Sequence, residues 1–347
     1  MKKRVFSGIR ATGRLHLGNY LGAVKGMLEI QESGEYETVY CVVDVHSITT
    51  PYDKEMLAKN KREIIIDYLA AGLDPKKSIL IYQSDVPEHM ELAFYFSTVT
   101  TVARMLHLPT YKNKIKQYPK NVSMALLNYP VLMAADILIY KASLVPVGID
   151  QEPHLEVARE IARKMNQIYG TDFPEPVRFA TKGEYIPSLT GEGKMAKTIE
   201  GSYINLTDDL ETIRKKVSKI PTDSVKGKVK MFKEYPFSNE DIKKFEESHT
   251  TTQKSVQTIM TFVELFLGHT KYEELNHLHE TTGIKYQQVK EELSNAIYQE
   301  LKPFQERREK ISQDKVYIDR VIKEGAERAR KIARETVKEV KRAMGLS

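Results

Sequence analysis

Short, largely apolar segments that alternate with helical segments constrain the fold of this chain more than any other feature. Residues 4–9, 39–45 and 78–83 are such segments, and helical patterns separate them at 17–31 and 51–72. Strands of a parallel sheet are buried on both faces, so they are continuously apolar rather than alternating. The pattern therefore predicts an α/β fold, a Rossmann-like parallel sheet with helices on both faces.

The remainder of the chain is predicted to be mainly helical. Residues 87–140 have helical patterns, and two further strands are predicted at 144–147 and 177–180. Residues 182–201 are rich in Gly, Ser, Thr and Lys, a composition typical of a loop. The segments beyond residue 206 are again helical.

The chain has 347 residues, which suits two domains. We predict an α/β domain at residues 1–190 with a helical insertion at about 87–143. We predict a second domain at residues 191–347, which begins with the lysine-containing loop and is otherwise all-helical.

Cysteine usage and the lack of long apolar runs limit the class of protein. Cys41 is the only cysteine, so it cannot form an intrachain disulfide or a four-cysteine metal site. The N-terminal residues have no apolar segment of the signal-peptide kind, and no run approaches 18 apolar residues. We therefore expect a cytoplasmic protein with no membrane partner. We also predict no DNA partner and no metal-ligating cluster.

The positive charge of the chain is concentrated near its C-terminus. Residues 302–347 contain 14 Lys and Arg against 8 Asp and Glu, which equals the formal charge of +6 of the whole chain. The apolar residues of this segment recur at helical spacing, which predicts an amphipathic helix with a basic face. That face could be held by ion pairs such as Glu327 with Lys331 and Glu339 with Arg342, or it could contact a phosphate backbone.

The first candidate functional motif follows the first strand. A turn with three glycines leads into a helix that begins with His16-Leu17-Gly18-Asn19. In a parallel α/β sheet, helix N-termini at the carboxyl ends of the strands offer free N–H groups to phosphate. The same four residues could instead be a glycine-rich turn with a capping pair. The chain has no GxGxxG or GxxxxGK[ST] run, so a dinucleotide or P-loop assignment lacks its usual support.

The second candidate motif lies in the loop near residue 195. Lys194 and Lys197 are three residues apart beside the hydroxyl of Thr198. Mobile lysines can neutralise the charge that builds on a leaving pyrophosphate, although a solvated lysine loop is the simpler interpretation.

Together, these motifs resemble the HIGH and KMSKS signatures of class I aminoacyl-tRNA synthetases. The resemblance to the bacterial tryptophanyl members continues in the opening FSGIRATGRLHLGNYLGA, in VDVH at residues 43–46, in YPVLMAADILIY at 129–140 and in VPVGIDQEPH at 145–154. It covers the first 200 residues well, and the C-terminal part only by its helical character and the ending KRAMG. The resemblance implies a class I catalytic domain followed by a helical domain that reads the tRNA anticodon.

The resemblance also implies an activity and its partners. Tryptophan and ATP would give tryptophanyl-adenylate and pyrophosphate, and the tryptophanyl group would then pass to tRNA(Trp). Mg²⁺ would accompany the ATP, and the protein would be a homodimer. A tyrosyl-tRNA synthetase and a non-catalytic synthetase paralogue with a regulatory role are the alternatives.

The site residues implied by the resemblance fall into three groups. The catalytic group is His16, Asn19, Lys194 and Lys197. The ATP-binding group is Arg10, Ala11, Thr12, Gly18, Asn19, Lys114, Gly148, Ile149, Asp150, Ile186, Lys194, Met195, Ala196, Lys197 and Thr198. The amino-acid pocket is formed by Phe6, His46, Tyr129, Met133, Asp136, Val145, Val147 and Gln151.

The position of Asp136 in the sequence independently suggests that its carboxylate accepts a hydrogen bond. It lies within an apolar helix, where a carboxylate is costly unless a group donates to it. The indole N–H of tryptophan is a donor with no acceptor capacity, so an acidic acceptor in an apolar slot suits it. A pair with Lys141 or with a backbone amide is the alternative.

The sequence departs from the family at a few site positions. Ala196 and Thr198 stand where the family usually has serine, so one hydroxyl is missing from the lysine loop. Arg10 and Ile149 stand where glutamine and glutamate are frequent.

Overall fold

A five-stranded parallel sheet is the centre of the described structure. The computed structural model describes residues 2–179, 185–197, 199–222 and 239–347. The strand order is β3-β2-β1-β4-β5, and every pair is parallel. The strands are β1 Lys3–Ile9, β2 Tyr36–Val42, β3 Ser78–Tyr82, β4 Leu144–Pro146 and β5 Val177–Phe179. The predicted α/β class is confirmed.

Helices connect the strands and form most of the remaining described chain. In the first half they are α1 Leu17–Asn19, a π-helical turn Tyr20–Val24, α2 Lys25–Ser33, α3 Asp44–Ser47, α4 Lys54–Ala71, α5 Glu88–Ser97, α6 Val102–Leu106, α7 Pro109–Gln117, α8 Met124–Leu138 and α9 Glu152–Tyr169. In the second half they are α10 Leu210–Ser218, α11 Asn239–Ser248, α12 Thr251–Phe266, α13 His269–Glu280, α14 Tyr286–Gln313 and α15 Lys315–Ala343. Short 3₁₀ turns occur at Gln83–Asp85 and Ile149–Gln151.

The order in which the strands are added to the sheet reverses direction between β1 and β4. The chain runs outward from β1 through β2 to β3, and then returns to β4 on the other side of β1. In open parallel sheets the ligand crevice lies at such a reversal, outside the carboxyl ends of the strands. The residues after β1, β2 and β4 are therefore in position to line a site.

The second strand lies three residues earlier than predicted, at Tyr36–Val42. It ends at Val42, and Asp44–Ser47 form a short helix, so the predicted strand at 39–45 is wrong at its end. Asp44 explains the change because its carboxylate accepts hydrogen bonds from the backbone N–H of Ser84 (2.9 Å) and from Lys61 Nζ (3.1 Å). These bonds hold the segment after β2 beside the segment after β3.

The helix predicted at 51–72 begins later, at Lys54. Asp53 is its N-cap and accepts from the N–H groups of Glu55 and Met56, each at 2.9 Å. Gly72 ends the helix with a φ of 114°, which a residue with a side chain rarely adopts.

The predicted C-terminal amphipathic helix is confirmed as α15. Its apolar residues Ala329, Ala333 and Val337 belong to the same core as the strand residues Phe6 and Ile81. A methyl group added at Gly325 would overlap the backbone carbonyl oxygen of Leu80 in β3. The helix therefore packs tightly against the sheet.

Basic residues of α15 form ion pairs with acidic residues on α5. Arg334 Nε lies 3.0 Å from a carboxylate oxygen of Glu88, and Lys341 Nζ lies 3.2 Å from Glu91. The sequence had suggested a pair of Glu339 with Arg342, but Glu339 pairs with Lys141 instead (2.8 Å). Several ion pairs of α15 therefore join it to α5 and to Lys141, after α8, and not to its own residues.

The described chain forms two compact units that are interleaved in sequence. One comprises Met1–Arg14, Met27–Thr181 and Lys310–Ser347, and the other Leu15–Gly26 and Lys182–Glu309. The second unit includes both signature motifs. The domain division at residues 190 and 191 and the anticodon-reading role stay predictions. None of the helices in the described ranges combines the length and apolarity needed to cross a bilayer.

Candidate active site

A cavity of about 280 Å³ lies at the carboxyl ends of β1, β2 and β4, in the first unit. Its size is near the lower end of small-molecule sites, which run from about 300 to 1,000 Å³. The cavity therefore suits a ligand of the size of one amino acid. The lining residues are Phe6, Gly8, Arg10, Val43, His46, Tyr129, Met133, Asp136, Ile137, Val145, Val147 and Gln151.

The structure brings all eight residues of the predicted amino-acid pocket to this one cavity. Tyr129, Met133 and Asp136 come from α8, where spacings of four and three residues place them on one face of the helix. Phe6 comes from β1 and Val145 from β4. Their binding of an amino acid stays a prediction.

Asp136 is buried, with only 1% of its surface exposed, and it accepts three side-chain hydrogen bonds. Gln83 Nε2 and His89 Nδ1 lie 2.7 and 2.6 Å from Oδ1, and His46 Nε2 lies 2.9 Å from Oδ2. Burial alone would raise the pKa of Asp136, but the bonds from His46 and His89 lower it below its ordinary value. The carboxylate is therefore ionised near pH 7.

The proposed alternatives for Asp136 are wrong. Its three bonds come from side chains, not from a backbone amide, and Lys141 does not reach it. Lys141 pairs instead with Asp172 (2.5 Å) and Glu339 (2.8 Å).

Gln83 links Asp136 and His46. Its Oε1 accepts from the backbone N–H of His46 (3.1 Å), which fixes the amide so that Nε2 donates to Asp136. Gln83 directly follows β3, and His46 follows β2. The sheet thus positions both residues at the same edge.

A second network orients Tyr129 and Gln151 through the buried His154. His154 Nδ1 lies 2.9 Å from Gln151 Oε1, and an amide oxygen only accepts, so Nδ1 carries the proton. Burial lowers the pKa of His154 to about 4, although the charge of Asp150 partly opposes it. The ring is therefore neutral near pH 7. The single lone pair of its Nε2 faces two hydroxyl groups, Tyr129 Oη (2.7 Å) and Thr110 Oγ1 (2.8 Å), and accepts from one of them.

Two cations lie near the cavity in the first unit. Arg10 lines it and donates to Thr50 Oγ1 (2.9 Å), while its buried Nε has no hydrogen-bond partner among the described residues. Burial and then the charge of Arg10 lower the pKa of Lys114, which indicates that the two charges are close. Such a pair of desolvated cations is typical of an anion site.

The first signature motif is held as a capped turn in the second unit. The backbone N–H of His16 donates to Asn19 Oδ1 (3.2 Å), so the capping pair considered from the sequence is present. Gly18 N–H donates to the thioether of Met195 (3.3 Å), and this contact joins the two signature motifs. A side chain at Gly18 would crowd both His16 and Met195.

His16 is buried and neutral. Burial, followed by the positive charges of Lys197 and Lys194, lowers the pKa of His16 to about 3. Its buried Nδ1 has no hydrogen-bond partner among the described residues. The ring is therefore able to bond a ligand without carrying charge.

Ser202 holds the backbone of the lysine-containing loop at Ala196, where the family usually has serine. Its hydroxyl is buried, accepts from the backbone N–H of Ala196 (3.4 Å) and donates to the Ala196 carbonyl oxygen. Met195 N–H donates to the carbonyl of Ile186 (2.9 Å), which places Ile186 beside the loop. Lys194 is exposed, and Lys197 lies close enough to His16 to affect its pKa.

The other predicted ATP residues are in loops and turns. Ala11 N–H donates to Ser47 Oγ (2.9 Å), and Thr12 is exposed. Asp150 accepts from Gln151 Nε2 (2.6 Å), and the carbonyl of Gly148 accepts from Gln151 N–H (3.0 Å). Ile149 begins the 3₁₀ turn Ile149–Gln151. Thr198 lies outside the described residues.

Gln83, His89 and His154 are not among the site residues predicted from the sequence. Gln83 could have been found because it is the last residue of a predicted strand, where a polar side chain at the carboxyl end suggests a site. His154 belongs to the VPVGIDQEPH segment, but nothing in the sequence shows its contact with Tyr129.

Comparisons with known proteins agree with this geometry. Residues 1–302 match the family model described as tRNA synthetases class I (W and Y). The chain is 38% identical over 344 residues to a tryptophan--tRNA ligase of Porphyromonas gingivalis, with 98% of each chain covered. It is 39% identical over 350 residues to one of Helicobacter pylori, with 99% of each covered.

A solved structure extends the likeness to three dimensions. The tryptophanyl-tRNA synthetase of Campylobacter jejuni, complexed with ADP and tryptophan, matches with a TM-score of 0.80 and 31% identity, over 99% of this chain and 100% of that one. The resemblance inferred from the motifs is thereby confirmed. The chain belongs to the class I tRNA synthetases for tryptophan and tyrosine, and within them to the bacterial tryptophanyl-tRNA synthetases.

Proposed function

We propose that this chain is a tryptophan--tRNA ligase whose amino-acid site is the cavity beside Asp136. A tryptophan carboxylate oxygen attacks the α-phosphorus of ATP, the bond to the β-phosphate breaks, and tryptophanyl-adenylate and pyrophosphate form. A terminal ribose hydroxyl of tRNA(Trp) then attacks the carbonyl carbon of the adenylate, and AMP leaves. The observation that carries the proposal is one ionised carboxylate on the wall of a small and otherwise largely apolar cavity.

The cavity fits an indole by shape and by hydrogen bonding. Its walls include the aromatic rings of Phe6 and Tyr129 and the side chains of Met133 and Val145. A carboxylate has about four acceptor positions, of which Asp136 uses three within the protein. The fourth has no partner among the described residues, and in this proposal it accepts the indole N–H.

The predicted nucleotide residues supply the cations that the reaction needs. In this proposal Lys194 and Lys197 of the lysine-containing loop contact the phosphates of ATP. His16 and Asn19 add neutral donors. Positive charge beside the leaving pyrophosphate stabilises the transition state, and fixed positions of the reactants replace any covalent nucleophile.

The metal requirement is assigned to the substrate. No cluster of three or more His, Cys, Asp and Glu side chains suited to a metal occurs within the described ranges. In this proposal Mg²⁺ would accompany the ATP as part of the substrate.

The proposal includes a homodimer that acts in the cytoplasm, where tRNA is charged. Exposed apolar side chains on neighbouring helices, Phe94 (71% exposed), Val102, Leu106 and Met124 (73%), are available for a subunit interface. A monomeric mass by light scattering at micromolar concentration would contradict this part.

The test is ATP–pyrophosphate exchange with each of the twenty amino acids in turn. We expect exchange with tryptophan and not with tyrosine. Exchange with tyrosine would make the chain a tyrosyl enzyme, and exchange with none would favour the regulatory paralogue. A wild type that is inactive but rescued by Ala196→Ser would trace the loss to the lysine loop.

A further inference from the structure

His89 lies behind the wall of the cavity and is not part of its lining. The side chain is completely buried and comes from the first turn of α5. Both ring nitrogens are bonded, Nδ1 to Asp136 Oδ1 (2.6 Å) and Nε2 to Tyr140 Oη (2.7 Å). Its ring also meets that of Tyr140 edge-on, with 5.4 Å between centroids.

The direction of the bond to Asp136 does not depend on the protonation state of His89. An ionised carboxylate only accepts, so Nδ1 carries a proton in either the neutral or the cationic ring. Tyr140 Oη can either donate or accept, and it satisfies Nε2 in both cases. His89 is therefore a fixed donor whose ring is held at both ends.

The bonds to Asp136 are unequally divided between its two oxygens. Oδ1 accepts from His89 and from Gln83, which occupies both of its acceptor positions. Among the residues that the structure describes, Oδ2 accepts only from His46, a residue of the cavity lining. One acceptor position therefore remains, on the oxygen that His46 contacts.

We propose that His89 is a positioning residue that, with Gln83, saturates Oδ1 of Asp136 and so directs Oδ2 toward the indole N–H of tryptophan. The inference rests on the proposed function. Without the Nδ1 donor, the carboxylate could rotate or offer either oxygen, and the acceptor for the indole would lose its fixed direction.

The expected signature is a loss of discrimination at the indole nitrogen. An analogue with sulfur in place of that nitrogen, 3-benzothienylalanine, has nearly the same shape but no N–H. The ratio of kcat/KM for tryptophan to kcat/KM for this analogue, in pyrophosphate exchange, therefore reports the bond to Asp136. A general loss of folding or of ATP binding would lower both values and leave the ratio unchanged.

The experiment compares three variants with the wild type. His89→Gln places its amide nearer the Nε2 position and loses the Nδ1 donor, so the ratio should fall about tenfold, the equivalent of one poorly made bond to a charged group. His89→Asn keeps a donor at the Nδ1 position and should retain most of the ratio. Tyr140→Phe releases the far end of the ring and should lower the ratio about threefold. KM for ATP should stay within about twofold in all three.

The outcomes separate the inference from the proposed function. A wild type that does not activate tryptophan contradicts the function itself. A wild type that activates tryptophan but does not discriminate against the analogue overturns the inference, and so does an unchanged ratio in His89→Gln. If the circular dichroism spectrum shows that His89→Gln does not fold, Tyr140→Phe takes its place as the test. An unchanged ratio in Tyr140→Phe then overturns the inference about His89.

Discussion

Replacing Asp136 should affect stability as well as substrate choice, and the two effects can be separated by comparing Asp136→Ala with Asp136→Asn. The alanine variant removes the acceptor of three buried donors, those of Gln83, His89 and His46. An orphaned buried donor costs about 1–3 kcal/mol, so the independent sum has an upper bound of about 9 kcal/mol.

The realised cost for Asp136→Ala should be smaller than that sum. Gln83 and the two histidines share one network, and the loss of one partner of a buried charged pair typically costs about 3–5 kcal/mol. We expect a loss of that size, which is a large fraction of the about 5–15 kcal/mol by which proteins are stable.

Asp136→Asn should cost less, about 1–2 kcal/mol. The asparagine oxygen can still accept from Gln83 and His89, and His46 can change tautomer to accept from the new amide. The indole N–H would then face a donor instead of an acceptor, so tryptophan activation should fall at least tenfold. KM for ATP should barely change.

Urea unfolding and pyrophosphate exchange measure the two effects. Because the pKa of Asp136 is lowered from its ordinary value of 3.8, its charge stabilises the fold above that pH. This contribution is lost as the pH falls through the lowered pKa of the folded state. The stability difference between wild type and Asp136→Asn should therefore be constant from about pH 7 to pH 5 and should shrink below about pH 4.

Two results would refute this reasoning. An Asp136→Ala protein with the urea midpoint of the wild type would mean that the three donors find other partners. Equal losses of tryptophan and ATP binding in Asp136→Asn would point to a purely structural role for the carboxylate.

Four further predictions follow from the signature motifs and from the packing of α15. Lys197→Ala should slow tryptophan activation by about 10²- to 10³-fold in pyrophosphate exchange, whereas the matched exposed control Lys215→Ala should be near wild type; an active Lys197→Ala would remove the role of the loop. Ala196→Ser should change the rate of tryptophan activation by at most about tenfold in either direction, because the Ser202 hydroxyl already bonds the backbone of Ala196. Ser202→Ala removes those bonds and should lower the rate by more; a larger effect of Ala196→Ser would contradict this role of Ser202. With a pKa of about 3, His16 should add no ionisation to the profile of kcat/KM between pH 5.5 and 8.5, so the wild-type and His16→Asn profiles should be parallel; a wild-type inflection near 6.5 that His16→Asn lacks would be evidence against a neutral ring. Gly325→Ala should destabilise the protein by about 1–3 kcal/mol in urea unfolding despite the better helix propensity of alanine, because its methyl group meets the Leu80 carbonyl; a gain in stability would show that α15 can shift.

The sequence predicted the sheet well because strands depend on local patterns. The residues of the amino-acid cavity came from the resemblance to the family, and the structure brings them together at one cavity. Apolar continuity marked the strands, and spacings of three and four residues placed Tyr129, Met133 and Asp136 on one face of α8. The element boundaries were less accurate. Asp44 and Asp53 set two of these boundaries by accepting hydrogen bonds from backbone N–H groups, which periodicity does not reveal.

The partners of Asp136 could not be predicted, because they depend on contacts distant in sequence. Gln83 and His89 precede Asp136 by 53 and 47 residues, respectively. Lys141 seemed a suitable partner because it is near in sequence, but it lies beyond the end of α8, where Asp172 and Glu339 reach it. The resemblance to the family named the residues that line the cavity, and the tertiary fold determined their bonds.

The interleaving of the two compact units has a consequence for biosynthesis. The sheet unit is completed only when Lys310–Ser347 are available, and these residues follow the whole of the second unit on the ribosome. Until α15 is made, the core that will pack against Ala329 and Val337 is exposed, and the contacts that close it have long sequence separation. The nascent chain must therefore keep an open apolar surface while about 130 further residues emerge, which at typical bacterial elongation rates takes several seconds or more. A premature stop after α14 would leave that surface permanently uncovered and make the truncated product a substrate for chaperones and proteases.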